Sequence, residues 1–197
     1  MKFLVVGSTG LIGSYVAKTL SKHGTVVGVS RTTQISVDVK DPASIKAMYE
    51  KVGKVDAVAS CIGKVAFKPV TELTYEDYLM GLKDKALGQV ELVRAGINYL
   101  NDNGSFTLMT GVLARDPIPS GSVAALANGA IESFTLAAAI ELPRGLRINT
   151  VSPNVLVEAT SYHPSFPGYH QVSAQSVADA YVKSILGKQT GQIYKLD

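Results

Sequence analysis

Three glycines at three-residue spacing stand in the run Gly7-Ser8-Thr9-Gly10-Leu11-Ile12-Gly13, directly after an apolar segment, Lys2–Val6. Glycine lets a backbone turn sharply and approach a phosphate, and the first turn of a helix offers free N–H groups and a positive dipole end. Leu11, Ile12, Val16, Ala17 and Leu20 follow at helical spacing, so the turn leads from a strand into a helix. Strand, glycine turn and helix together make the entrance of a dinucleotide site. The same glycines also suit an ordinary tight turn, and spacing alone does not choose between the two.

The remaining composition narrows the class. The chain has 197 residues, 46% of them hydrophobic, long enough for a sizeable core and within the range of one domain. No apolar run is long enough to span a bilayer, and the N-terminus has neither a long apolar leader nor a cleavage site, which predicts a cytoplasmic protein. Cys61 is the only cysteine, so no internal disulfide forms and no cysteine-built metal site is expected. Its expected role is a buried structural thiol. The 19 basic residues are dispersed and the net charge is only +3, which leaves no nucleic-acid footprint.

Strand patterns fall at Lys2–Val6, 25–30, 35–39, 57–61, 105–109, 147–151 and 192–195, with helical patterns between most of them. The long helical stretches are 75–100 and 123–142, and Asp41-Pro42 and Thr74 supply helix starts. This alternation predicts an α/β fold: a Rossmann-type, doubly wound parallel sheet of about seven strands in a single domain, residues 1–197. Only Thr32, Thr33 and Gln34 separate Arg31 from Ile35, too few for a crossover helix. The helix after strand two is therefore expected to be missing.

In this order the landmarks resemble the short-chain dehydrogenase/reductase family over nearly the whole chain. They are the glycine turn, Asp38-Val39, the segment VDAVASCIG ending at Gly63, and NGAIESFTLAAAIELPRGLRINTVSPN beginning at Asn128. The resemblance implies a nicotinamide cofactor held by Gly7, Ser8, Thr9, Gly10, Leu11, Ile12, Gly13, Ser30, Arg31, Thr32, Asp38, Val39, Ser60, Cys61, Ile62, Gly63, Pro153 and Asn154. It also implies four catalytic positions, and all four are changed. The tyrosine position holds Ala124, the lysine position Asn128, the serine position Gly111 with Thr110 beside it, and the asparagine position Lys85. Alanine has no proton to give and glycine no hydroxyl. Lys85, Thr110 and Asn128 are thus the candidate catalytic residues. Lys85 and Asn128 read either as lysine and asparagine exchanged between two helices or as a solvated charge beside an unrelated amide.

Ser30-Arg31-Thr32 offers a guanidinium where an acidic residue would hold a ribose 2′-hydroxyl, so NADP(H) is favoured over NAD(H), unless Arg31 is simply solvated. Asp38 either meets the adenine edge or forms a turn. Glu158 stands where the family often places a threonine on the pyrophosphate, and its charge argues against that contact. The loop 159–172 carries Tyr162, His163, Tyr169 and His170, which read either as replacement acid/base groups or as surface packing. The expected activity is hydride transfer with a small carbonyl or quinone-like substrate through a non-standard proton donor. The alternative is a noncatalytic NADP(H)-binding or redox-sensing protein. The helices 75–100 and 123–142 are expected to pair two copies as a homo-oligomer.

Overall fold

A computed structural model describes all residues, Met1–Asp197. Six strands form one parallel sheet in the order β2-β1-β3-β4-β5-β6: β1 (Lys2–Val6), β2 (Thr25–Val29), β3 (Val55–Ser60), β4 (Leu100–Met109), β5 (Arg147–Pro153) and β6 (Ile193–Leu196). Strand side chains alternate faces, so each strand feeds two cores. Phe3 and Val5 of β1 join the core under α1 (Leu11–Leu20) and α6 (Ala174–Leu186). Leu4 and Val6 join the core under α2 (Pro42–Val52), α4 (Gly88–Gly96) and α5 (Ser122–Ala138). Both faces are covered, the doubly wound arrangement expected of an alternating chain. No helix is long and apolar enough to cross a membrane.

Two helix starts were legible in the chain. Asp41 accepts the Ala43 N–H at 2.9 Å with Pro42 at the first helical position of α2. Thr74 and Asp77 form a capping box at α3 (Tyr75–Gly81). The helical path then continues through a π-helical segment, Leu82–Leu87, into α4. Such segments are uncommon and gather at functional sites.

The strand count corrects the sequence reading. Residues 35–39 alternate apolar and polar, yet they form no strand; one bridge, Ser30 to Ser36, is all that pairs there. The link after β2 is too short to carry these residues round into a parallel register. They line an opening instead, with Val37 buried against the core and its N–H donating to the Ser30 carbonyl at 3.0 Å. With that strand absent the crossover from β2 to β3 is complete, and its helix is α2.

Candidate functional site

The strand order reverses at β1, which has β2 on one side and β3 on the other. Crevices at such a switch point, beyond the carboxyl ends of the strands, are where open α/β sheets take ligands. A cleft of about 310 Å³ opens there, between the loops that follow β1, β2 and β3. It brings together eleven of the residues named from the sequence: Gly7, Thr9, Gly10, Ser30, Arg31, Thr32, Asp38, Val39, Cys61, Ile62 and Gly63.

The glycine turn is built by contact as well as by torsion. Gly7 has φ +85°, and a Cβ there would lie 2.6 Å from the Cys61 carbonyl oxygen. A Cβ on Gly13 would lie 2.0 Å from the Gly7 carbonyl oxygen, so the first turn of α1 packs directly on the loop. Gly10 caps α1 without a side chain, and the N–H groups of Leu11, Ile12 and Gly13 have no acceptor within the chain. No acidic residue occupies that turn. The result is an anion cradle of unpaired donors at the positive end of a helix.

Four other residues named for the cofactor stand back from the cleft. Ser8 turns toward β2, its Oγ 3.4 Å from the Val29 carbonyl. The Leu11 and Ile12 side chains lie outside the cleft, where Ile12 packs on the core under α1 and α6, so these two residues contribute only their N–H groups. Ser60 is fully buried behind the cleft, and its carbonyl accepts the Tyr181 hydroxyl.

At the opposite end of the cleft, the Ser30 N–H donates to Thr33 Oγ1 at 2.7 Å and the Thr32 N–H donates to Ser30 Oγ at 3.1 Å. This turn carries Arg31 outward, exposed and with no acidic partner. Lys40 and Lys64 also line the cleft, Lys40 3.9 Å from Asp38 and Lys64 with its N–H on Asp84 Oδ1 at 2.9 Å. Neither lysine had a sequence signal, because each reaches the cleft only through tertiary folding.

Lys85, Thr110 and Asn128, the candidate catalytic residues, lie outside the lining of this cleft, and of the three Lys85 touches one of its residues, Gly63. Gly63 has φ +144°, and a Cβ there would meet Lys85 Cγ at 2.7 Å and Cδ at 2.8 Å, so the Lys85 stem lies across this glycine. Lys85 is partly buried in the π-helical segment and its Nζ has no hydrogen bond or ion pair within the chain. Burial pushes its pKa down to about 8, with Asp84 acting against the shift. Asn128 is 2% exposed; its Nδ2 donates to the Gly111 carbonyl at 3.3 Å, while its Oδ1 has no partner. A Cβ on Gly111 would stand 3.6 Å from Asn128 Nδ2 and from the Pro153 carbonyl oxygen, which places these three residues side by side.

Thr110 is committed elsewhere. Its hydroxyl donates to Glu132 Oε1 at 3.0 Å, and the same carboxylate oxygen accepts from Ser152 Oγ at 3.0 Å. Arg115 Nη1 donates to Ser152 Oγ at 2.8 Å, completing a polar chain behind the ends of β4 and β5. Ala124 is packed with Val112, Leu113 and Ile118. Asn154 turns away: its Oδ1 accepts the Val155 N–H and its own N–H donates to Leu196. Glu158 accepts the Ala174 N–H at 3.0 Å with both oxygens and so caps α6. That use explains a carboxylate at this position. Gln89, unflagged by any motif, ties α4 to the Met109 backbone by two 2.8 Å hydrogen bonds and so fixes the helix carrying Lys85 against β4.

In the loop 159–172, His163 and Tyr169 are hydrogen-bonded to carbonyls outside it, Tyr162 packs on Phe67, and His170 lies outside the cleft. His163 Nε2 pairs with the Leu156 carbonyl at 2.9 Å, and the Tyr169 hydroxyl donates to the Asp116 carbonyl at 3.2 Å. Phe166 and Tyr169 meet edge to face over the cluster around Val112. Cys61 is only partly buried and lines the cleft rather than being the buried thiol expected, and desolvation there pushes it up to about 12, the Tyr181 hydroxyl opposing it. Because the thiolate is the nucleophile, alkylation of Cys61 by iodoacetamide at pH 8 is expected to run at least about a hundredfold slower than that of free cysteine. Comparable rates would contradict this environment.

Cleft, anion cradle and switch point define a dinucleotide-binding domain. Comparison with known proteins then gives the family. A family model described as Enoyl-(Acyl carrier protein) reductase matches residues 11–191, and the chain belongs to the short-chain dehydrogenase/reductase family. It is similar to the crystal structure of protein lin1944 from Listeria innocua, with 48% identity, full coverage of both chains and a TM-score of 0.98. A small-chain dehydrogenase solved in complex with NADPH is 27% identical over all of this chain and 96% of the other, with a TM-score of 0.89. Hydroxynaphthalene reductase of Aspergillus fumigatus is 25% identical over 175 residues, 76% of this chain; the match spans 64% of that relative's length.

Proposed function

We propose that the protein is an NADP(H)-dependent oxidoreductase that moves a hydride to or from a small carbonyl or quinone-like compound without the family's tyrosine, lysine and serine. The observation that carries the cofactor choice is the free Arg31 guanidinium at the mouth of the cleft, with Lys40 beside the same opening and no carboxylate paired to Arg31. A planar guanidinium matches a 2′-phosphate through charge-assisted hydrogen bonds. The NADPH complex of the 27% identical dehydrogenase supports the same choice.

The residues present fit such a group. The unpaired N–H groups of the glycine turn suit a pyrophosphate, Arg31 and Thr32 the 2′-phosphate, and the orphaned Asn128 Oδ1 a hydroxyl donor. When bound, the nicotinamide supplies the hydride; the chain's residues orient it and manage the proton. Gly111 carries no hydroxyl where the family has one, and the Thr110 proton is given to Glu132, so neither polarises a carbonyl.

A panel of small carbonyls and quinones, each mixed with protein and NADPH, tests the activity by loss of reduced-nicotinamide absorbance. Turnover of at least one acceptor is expected. Tyr162→Phe, His163→Gln, Tyr169→Phe and His170→Gln, made singly, are expected to change its rate by less than about threefold, because losing a general acid costs about a hundred- to ten-thousand-fold. A hundredfold loss in any of them would reassign the proton donor to this loop. The second reading is a noncatalytic NADP(H)-binding or regulatory protein, favoured by the apolar packing of Ala124 where the family has its tyrosine. We also infer pairing of two copies through the long helices, supported by the exposed Tyr75, Met80, Leu87, Leu126, Leu136 and Ile140.

A further inference from the structure

We propose that Lys85 is the group that delivers the proton to the substrate's carbonyl oxygen, an assignment that rests on the oxidoreductase reading above. Three observations of position carry it. The lysine stem lies on Gly63, which lines the cleft after β3, beyond the glycine turn as seen from Arg31. A dinucleotide laid from Arg31 across the anion cradle would carry its second ring toward the side of the cleft on which this lysine stands. The ammonium has no acceptor within the chain, although the stem is partly buried and held in place; surface lysines reach water freely, whereas this one is retained beside the site. Gln89 and the π-helical segment fix its backbone, since Gln89 Nε2 donates both to the Lys85 carbonyl at 3.1 Å and to Met109.

The other candidates for the role are spent. Ala124 and Gly111 carry no proton, the Thr110 hydroxyl is on Glu132, and Cys61 is held as a thiol that gives up its proton only near pH 12. No charged group forms an ion pair with the Lys85 ammonium, although the Asp84 charge favours its protonated form. Asp84 on its own segment accepts the Lys64 N–H, and Lys83 is exposed. Asp38 and Lys40, from the loop whose Val39 packs on Gly88, pair with each other. Glu132, the one acid on α5, holds Thr110 and Ser152. A pKa near 8 keeps most of the lysine protonated at neutral pH while making it a competent donor.

The step balances as follows. A bound reduced nicotinamide would supply the hydride to the carbonyl carbon and be oxidised by two electrons. The carbonyl π pair moves to oxygen, oxygen takes a proton from Lys85 Nζ, and the resulting neutral amine recovers a proton from water. Asn128 Oδ1 accepts a hydroxyl proton alongside and holds its partner in place without exchanging it.

The test uses the wild type, Lys85→Met and Lys85→Arg, with NADPH affinity, single-turnover hydride transfer to the best acceptor, and an NMR titration of the lysine ammonium assigned by its absence from Lys85→Met. The wild-type signal is expected to titrate near 8. Both variants are expected to bind NADPH within about threefold of wild type and to transfer hydride at least about a hundredfold more slowly, since methionine has no proton and arginine does not release one. In the wild type the rate should fall as pH rises through 8, and in the variants that limb should vanish. Variants that transfer hydride at the wild-type rate, or that lose only NADPH affinity, would overturn the assignment and leave the oxidoreductase reading standing. A wild type that binds NADPH but oxidises it with no acceptor would overturn both.

Discussion

NADPH is expected to bind about ten- to a hundred-fold more tightly than NADH, and Arg31→Asp is expected to reverse the order. The range follows from charged hydrogen bonds worth about 1.5–3 kcal/mol, at about 1.4 kcal/mol for each tenfold. Arg31 has no acidic partner to lose, so the guanidinium meets a phosphate without first breaking an ion pair. An aspartate at the same place would repel the 2′-phosphate and accept hydrogen bonds from a 2′-hydroxyl. Fluorescence titration of both proteins with both reduced cofactors reads all four affinities. Equal affinities in the wild type would remove Arg31 from the phosphate site.

Gly13→Ala is expected to cost about 1–3 kcal/mol of stability and at least about tenfold in NADPH affinity. The new methyl carbon would stand 2.0 Å from the Gly7 carbonyl oxygen and 2.7 Å from its carbon. Backbone, not a flexible side chain, is in the way, so the glycine turn must move and its N–H groups with it. Gly129→Ala is the matched control. That glycine lies in the middle of α5 with nothing within 4 Å of a new Cβ, and the change should stabilise by about 0.5–1 kcal/mol through helix propensity. Urea unfolding and NADPH titration of the two variants read both effects; a Gly13→Ala protein as stable and as tight-binding as wild type would contradict the close packing.

The local chemistry of the chain was legible where one residue type has one physical use. The strand, glycine turn and helix at residues 2–20, the Asp41-Pro42 start and the Thr74 cap all stand where their residues put them. Residues 35–39 misled because alternation of apolar and polar residues also arises when a loop lays one side on a core and the other on a cleft, as Val37 and Asp38 do. The π-helical segment had no signal in Leu82–Leu87, whose composition suits an ordinary helix. The polar chain from Arg115 through Ser152 and Glu132 to Thr110 joins residues far apart in the sequence, and no spacing rule connects them. Glu158 was readable as unsuited to phosphate, but its use as the cap of α6 required the fold.

Ala124, the position matched to the family's tyrosine, sits in an apolar cluster. Its neighbours Val112, Leu113 and Ile118 close over the position, with Phe166 and Tyr169 packed outside them. A tyrosine ring there would overfill a packed cluster, at a cost of about 1–3 kcal/mol. In the reading proposed above, the hydride end of the site would lie near Gly63 with Lys85, and Gly111 with Asn128 would stand where the family carries its serine and lysine.

Transfer of a labelled hydride tests the oxidoreductase reading most directly. Protein loaded with NADPH deuterated at the transferable ring position is mixed with the panel of small carbonyls, and the products are read by mass spectrometry. The account predicts deuterium on the former carbonyl carbon of at least one product, matched by an equal loss of the reduced cofactor. NADPH that binds tightly yet passes deuterium to no acceptor would contradict it and leave a cofactor-binding protein without hydride chemistry.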